Sequence, residues 1–307
     1  MTDHGATVRV TVPATSANLG PGFDALGLAL TWHDVVEVTT TPAGVEIEVD
    51  GAGANEVPRD ESHLVVRAVR ATLDELGMSV GGLRLRCANA IPHGRGLGSS
   101  AAAIVAGVLA ARELAGADRD DAAALATAAR LEGHPDNVAP CLLGGLTIAW
   151  MAGDRAKAAR VEVHNDIEPV VCVPAATLPT EAARGLLPRT IPHADAAYTA
   201  GRAALLVEAL TRRPDLLLDA TDDLLHQHYR EPAMPDTLAL VHRLRGRGLA
   251  AVVSGAGPSV LVFVTADHAV TPGEGWDVHR LAVDRAGARA RTLHPDDRDM
   301  VSNRSRG

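Results

Sequence analysis

Apolar residues recur at every second position over residues 8–12, where Val8, Val10 and Val12 alternate with Arg9 and Thr11, and this pattern predicts a strand. Residues 32–39 and 45–49 also read as strands, with Pro42-Ala43-Gly44 as the turn between them. The period then changes. Leu64, Ala68, Val69, Leu73 and Leu76 fall at helical spacing, and Gly77 stops that helix. Residues 83–91 return to a strand, with Leu83, Leu85 and Cys87 on one side and Arg84, Arg86 and Ala88 on the other. An alanine-rich helix is predicted over 100–114 and a second over 118–131, opening on acidic residues that suit its dipole; 142–151 reads as strand.

Composition turns small and charged over 152–160, where a domain boundary is expected, dividing the chain into 1–155 and 156–294. Beyond it the pattern predicts strands near 161–163 and 170–173, helices over 195–210, 215–226 and 236–247, and strands over 249–253 and 260–264. This mixture favours an α+β architecture over a regular doubly wound sheet. The polar, Arg- and Asp-rich residues 295–307 are expected to be disordered.

The densest chemistry lies between the strand at 83–91 and the helix at 100–114. There Pro92, His93, Gly94, Arg95, Gly96, Leu97, Gly98, Ser99, Ser100, Ala101 and Ala102 form a glycine-rich turn that opens onto a helix N-terminus. Free backbone N–H groups at such a turn favour an anion, and phosphate is the candidate. A Walker loop is excluded, because it needs a lysine and Lys157 is the only one in the chain. The dinucleotide fingerprint is excluded too, since its glycines are spaced two and then three apart, whereas Gly94, Gly96 and Gly98 are evenly spaced. A turn with no ligand would not need the donors of Ser99 and Ser100. Without lysine, the positive charge must come from amide dipoles, the helix end and a metal ion.

Bulk properties narrow the field. A length of 307 residues suits one large or two modest domains, and 47 % hydrophobic residues can build a proper core. Aromatic residues make up only 2 %, so that core is packed with Ala, Val and Leu. A net charge of −9 argues against a nucleic-acid-binding face but not against ATP, whose charge is met locally. The N-terminal residues lack the basic and apolar regions of a signal peptide, and the apolar run at 101–111 is too short to span a bilayer. A cytoplasmic protein is expected. Cys87, Cys141 and Cys172 are dispersed without metal spacing and read as reduced, structural thiols.

The stretch from Pro92 to Ala102 resembles the second motif of the GHMP kinases, a family that includes galactose, homoserine and mevalonate kinases. Pro13-Ala14-Thr15-Ser16-Ala17-Asn18-Leu19-Gly20-Pro21-Gly22-Phe23-Asp24 is similar to the first motif, and Ser254-Gly255-Ala256-Gly257-Pro258-Ser259 to the third. The likeness runs from about residue 8 to about residue 264. It implies a two-domain fold: an ATP-binding domain like ribosomal protein S5 domain 2 over 1–155 and a ferredoxin-like domain over 156–294. It also implies that ATP is held by the loop from Pro92 to Ala102, and family analogy implies a homodimer.

The segment Glu132-Gly133-His134-Pro135-Asp136-Asn137-Val138-Ala139-Pro140 is similar to that of the homoserine-phosphorylating branch. That likeness implies a Mg²⁺ ion held by Ser100 and Glu132. It also implies an L-homoserine pocket formed by Asn18, Asp24, His134, Arg184, Arg230 and Gly257, with Ser100, Glu132 and Asp24 as the catalytic set. Arginine suits the substrate carboxylate because its planar fork binds both oxygens. Taken alone, Arg184 and Arg230 read as surface arginines and His134 as structural, whereas Glu132, at a helix end where the dipole disfavours a carboxylate, reads as functional rather than as a solvated surface acid. The chain departs from relatives at Ser62-His63-Leu64, where Asn-Leu is common near the adenine, so the base contacts stay open. Thr15 keeps the hydroxyl of the commoner serine. Mevalonate and galactose kinases use a lysine or arginine with an aspartate to activate the hydroxyl; here no lysine lies near the first motif, and Arg9 on the first strand stays open for that part. Three readings remain: a homoserine kinase, a kinase for another small alcohol, and a sensor that binds ligand without turnover.

Overall fold

The alternation at residues 8–12 opens a longer strand than predicted, because 13–17 continue it as a wholly buried stretch. In the computed structural model, which describes residues 5–265 and 268–294, β1 covers Thr7–Ala17 and β2 covers Leu26–Thr41. Strand β2 forks: its far half pairs with β4 (Gly82–Asn89) and its near end with β5 (Leu146–Ala152). β3 (Gly44–Gly51) runs parallel to β4 and lies on the far side of it from β2. The Pro42-Ala43 turn therefore does not join sheet neighbours. A parallel pair needs a crossover, and α1 (Leu64–Glu75) supplies it.

Helix α2 (Ser99–Leu114) packs its small residues against β1, α1, α3 (Asp121–Glu132) and α4 (Pro135–Leu143). The helix predicted from 118 starts at 121, because the Asp120 side chain caps it by accepting from the Ala123 N–H at 2.9 Å. The strand predicted from 142 starts at 146, since 142 and 143 close α4. Sequence reading missed α4, whose two prolines look like breakers. Pro135 stands at the first helical position, however, where no N–H is needed.

β6 (Arg155–Val161), which straddles the boundary read from composition, pairs with β5 in this first sheet. β11 (Arg289–Leu293), from the far end of the chain, pairs with β1 and completes the order β11-β1-β2-β4-β3. The second sheet has the order β10 (Trp276–Arg280), β7 (Ile167–Pro174), β9 (Val260–Thr265), β8 (Ala250–Val253). Val171, Val252 and Leu261 point to the main core, while Val170, Val253 and Val262 join Leu238, Val241 and Leu244 of α8 (Pro235–Arg245) in a second cluster. Burial on both faces explains why these strands read as continuous apolar runs. The strands β10 and β11 escaped prediction because they are short and largely exposed.

Helices α5 (Thr180–Gly185) and α6 (His193–Thr211) precede the region where a helix was predicted over 215–226. There α7 covers only Leu217–Ala220. The Asp223 carboxylate then takes the N–H groups of Leu225, His226 and Gln227 at 2.8–3.1 Å, so a side chain replaces the helical acceptors. All three cysteines are free and buried, and burial pushes the Cys172 thiol up to about 11 and the Cys87 thiol to about 12. They are inert at neutral pH. The tail at 295–307 lies outside the described residues. Among the described residues no helix is long and apolar enough to cross a membrane.

Candidate active site

The three glycine-rich motifs, far apart in sequence, meet at one place. Leu97 is buried and its carbonyl accepts from the Thr15 N–H of β1 at 3.1 Å, pinning the loop to the sheet. Gly98 caps α2 in the left-handed region, and a Cβ there would lie 1.9 Å from Thr15 Oγ1, which itself donates to Asn137 Oδ1 at 2.8 Å. From the other side, Ser254 Oγ is hydrogen-bonded to the Gly96 carbonyl at 2.7 Å and to Ser16 Oγ at 2.8 Å. The Gly255 N–H donates to the Ala17 carbonyl at 3.1 Å, so the third motif bonds to the first and second at once.

No side-chain capping bond closes α2, and Ala101 and Ala102 are buried in its first turn, leaving Ser99 and Ser100 at the helix mouth. That is the arrangement of an anion site. Arg95 does not face it: its guanidinium donates to the Pro174, His93 and Ala175 carbonyls at 2.7–3.0 Å, and the Leu178 N–H donates to the Gly94 carbonyl at 2.9 Å. These bonds tie the loop to the end of β7. Beside Ser99 and Ser100 opens a cavity of about 380 Å³, lined by Val36, Val57, Pro58, Ser62, His63, His93 and others. His63 is buried with an unpartnered Nδ1, and burial, then the nearby His93, lowers its pKa, so the ring is neutral. An apolar slot with a few polar edges suits a nucleoside.

Ser100 Oγ donates to Glu132 Oε2 at 2.8 Å, joining the start of α2 to the last residue of α3. Burial raises the pKa of Glu132, more than the Ser100 hydrogen bond and His134 lower it. A carboxylate disfavoured as an anion, set beside a hydroxyl, is a hard-oxygen pair that a divalent cation would stabilise. Among the described residues no cluster of three or more His, Cys, Asp or Glu could hold a metal unaided. The ion would therefore take its other oxygens from phosphate and water.

The charged residues expected for substrate gather on the first motif's turn. Asn18, Leu19 and Asp24 all have positive φ, and the Asp24 N–H donates to Asn18 Oδ1 at 2.9 Å. Asp24 accepts both guanidinium arms of Arg184 from α5, at 2.6 and 3.3 Å. Arg230 is 1 % exposed, and its Nη1 donates to the Gly255 carbonyl at 3.0 Å, which also accepts from Asn18 Nδ2 at 2.8 Å. Its Nε has no partner, and burial, with Arg184 next, lowers its pKa to about 10. Asp24, Asp223 and Asp136 all act on Arg230, and Asp24 and Asp136 on Arg184. His134, just before α4, is 2.7 Å from buried Asp136, whose hydrogen bond raises its pKa. Gly257 packs against Met234, whose sulfur a Cβ would meet at 2.4 Å.

Sequence reasoning missed Gly255, the acceptor shared by Asn18 and Arg230, along with Asp136, Asn137, Phe23 and the buried pair Asp223 and His226. The first four lie inside the quoted motifs and only needed assigning. His226 carries no sequence signal, since its burial comes from the fold: its Nε2 meets the Gly20 carbonyl at 2.8 Å.

A lysine-free glycine-rich loop at a helix N-terminus, joined to two other glycine-rich turns on a sheet of this order, is the arrangement of a GHMP kinase. The family described as "GHMP kinases N terminal domain" matches residues 63–145. Over 292 residues the chain is 58 % identical to homoserine kinase of Streptomyces coelicolor, covering 93 % of this chain and 94 % of that one. Homoserine kinase of Clavibacter michiganensis is 51 % identical over 299 residues, covering 92 % and 94 %. The crystal structure of homoserine kinase from Cytophaga hutchinsonii is similar with a TM-score of 0.83 at 28 % identity, covering 93 % and 97 %. Mevalonate diphosphate decarboxylase of Enterococcus faecalis shares the fold alone, with a TM-score of 0.64 at 13 % identity over 94 % and 99 % of the chains. The chain belongs to the homoserine kinase family.

Proposed function

We propose that the protein transfers the γ-phosphoryl group of ATP to the side-chain hydroxyl of L-homoserine, giving ADP and the O-phospho-L-homoserine used for threonine. The observation that carries this reading is the set of Asp24, Arg184 and Arg230, one anionic and two cationic side chains drawn from three segments, with Arg230 held by the carbonyl of Gly255 in the motif whose Ser254 bonds to the glycine-rich loop. A zwitterion fits it. On binding, the ammonium would take Asp24 from Arg184, and the carboxylate would take the freed fork of Arg184 and the unpartnered Nε of Arg230. Mevalonate and galactose, which carry no ammonium, would leave the Asp24 side of the pocket unused. ATP and a free amino acid as substrates also fit a cytoplasmic enzyme.

Loop amides from Gly94 to Ala102 hold the phosphates at the helix mouth, and the cavity lined by Val36 and His63 takes the nucleoside. Asn18 and Asp24 orient the substrate, with its hydroxyl toward the γ-phosphorus. The hydroxyl oxygen forms the new bond to phosphorus as the bond to the β–γ bridging oxygen breaks, and the electron pair leaves with ADP. A loose transition state asks for placement and neutralised charge more than for a strong base. The hydroxyl proton passes to the transferred group or to water. When bound, Mg²⁺ would be held by Ser100 and Glu132 and would offset charge on the phosphates.

The test is ATP consumption with homoserine, mevalonate, galactose and no acceptor. Stimulation by homoserine alone is expected; consumption independent of acceptor, or none at all, overturns the reading. Arg230→Leu should raise KM for homoserine about 10- to 100-fold, the cost of a hydrogen bond to a charged group, with a smaller change in kcat. The Gly255 carbonyl keeps Asn18 as a donor, so the variant should fold. An unchanged KM removes Arg230 from the pocket.

A further inference from the structure

We propose that Phe23 is a positioning residue for substrate recognition: its ring aligns Arg184 and Arg230, the two guanidinium groups that would receive the substrate carboxylate. This rests on the reading of those arginines given above. The Cζ atoms of Arg184 and Arg230 stand 5.8 and 5.7 Å from the centroid of the Phe23 ring. At that separation a ring quadrupole attracts a cation, and more strongly when both are withdrawn from water. Arg230 is almost wholly buried and makes one hydrogen bond through Nη1, so the ring is its lateral support.

The ring is itself fixed. It stacks on His226 with centroids 4.9 Å apart and planes inclined by 28°. His226 is completely buried, its Nε2 meets the Gly20 carbonyl at 2.8 Å, and burial pushes its pKa well down, so an uncharged ring backs Phe23. The first motif sets the rest. The left-handed conformation of Asp24 puts its carboxylate on Arg184 at 2.6 Å, directly after the residue whose ring lies near the same guanidinium. One turn thus addresses Arg184 through a charge and through an aromatic ring.

Two like charges converging on one anion need spacing that does not waste either of them. Asp24, Asp136 and Asp223 already supply the negative charge around the two arginines, and an aliphatic side chain would fill the volume without attracting the cations. The chain has only two phenylalanines, so one of them at this spot answers a local need rather than general core packing.

The experiment compares the full-length parent with Phe23→Leu, Phe23→Tyr and Phe23→Met, each alone and combined with Arg230→Leu. Phe23→Leu is expected to raise KM for homoserine about tenfold, with kcat within about threefold and KM for ATP unchanged. Phe23→Tyr, which keeps the π face, should stay within about threefold of the parent. In the Arg230→Leu background the leucine change should add clearly less than in the parent, because only its effect through Arg184 remains. Phe23→Met, unbranched and closer in volume, carries the same expectation if the leucine variant does not fold. An undiminished tenfold effect in the Arg230→Leu background, or a joint fall in kcat and ATP affinity, makes Phe23 ordinary packing and overturns the inference. A parent that does not phosphorylate homoserine overturns the proposed function instead, and this inference with it.

Discussion

Ser100→Ala is expected to lower kcat by about 10²–10³ while KM for homoserine stays within a few-fold of the parent. The hydroxyl sits at the mouth of α2, 2.8 Å from Glu132, and makes no contact with the charged pocket of Asp24, Arg184 and Arg230. Its loss therefore falls on the phosphoryl group and its counter-charge rather than on the amino acid. Ser100 is exposed and alanine is the better helix former, which offsets the lost hydrogen bond to Glu132, so Tm should stay within a few degrees of the parent. Steady-state kinetics at several Mg²⁺ concentrations make the check sharper, since a ligand to the ion should also shift the concentration needed for half-maximal rate. If kcat is unchanged and only KM for homoserine moves, Ser100 belongs to the wrong half of the site.

That division of labour was only partly legible in the sequence. The loop from Pro92 to Ala102 was readable because its chemistry is local: glycines, hydroxyls and a helix start stand next to one another. The strands at 8–12, 83–91 and 260–264 and the helices at 100–114 and 195–210 were readable for the same reason, each carrying its own period. What failed depends on distant partners. The Pro42-Ala43 turn looks like a hairpin, and only the arrival of β4 between β2 and β3 shows that it is not. The region at 215–226 has helical periodicity, yet Asp223 takes the backbone donors that a helix would need. Arg95 shows the same limit on the chemical side. In a phosphate loop an arginine reads as a phosphate ligand, but three carbonyls from two segments take its donors. Conversely, Arg230 reads as one surface arginine among many. The fold buries it and leaves its Nε unpartnered, and burial rather than identity marks it out.

Gly96→Ala should abolish most activity, lowering kcat/KM by at least about 10²-fold, whereas Gly94→Ala should stay within a few-fold of the parent. Both glycines have left-handed backbones, with φ of 70° and 63°, so both alanines carry a similar strain of roughly 1–2 kcal/mol. The difference lies in what the new methyl meets. At position 94 the nearest atom is the Thr177 Cβ at 3.4 Å, an ordinary contact at the loop's outer side. At position 96 a Cβ would stand 2.1 Å from the Ser254 carbonyl oxygen and 2.9 Å from that of Gly257, both backbone atoms of the third motif. Those atoms cannot rotate aside. The Ser254–Ser259 turn must retreat by about an ångström, breaking the bond from Ser254 Oγ to the Gly96 carbonyl and moving the Gly255 carbonyl that holds Asn18 and Arg230. A displacement of that size between reacting groups costs about 10² in rate. Because the third motif holds Arg230 through the Gly255 carbonyl as well as closing on the glycine-rich loop, the loss should appear in KM for homoserine and in kcat together. Measuring both constants, with Tm for each variant, separates this from simple unfolding. Equal losses for the two alanines would mean that backbone strain alone matters and that the close approach of the second and third motifs is not what aligns donor and acceptor.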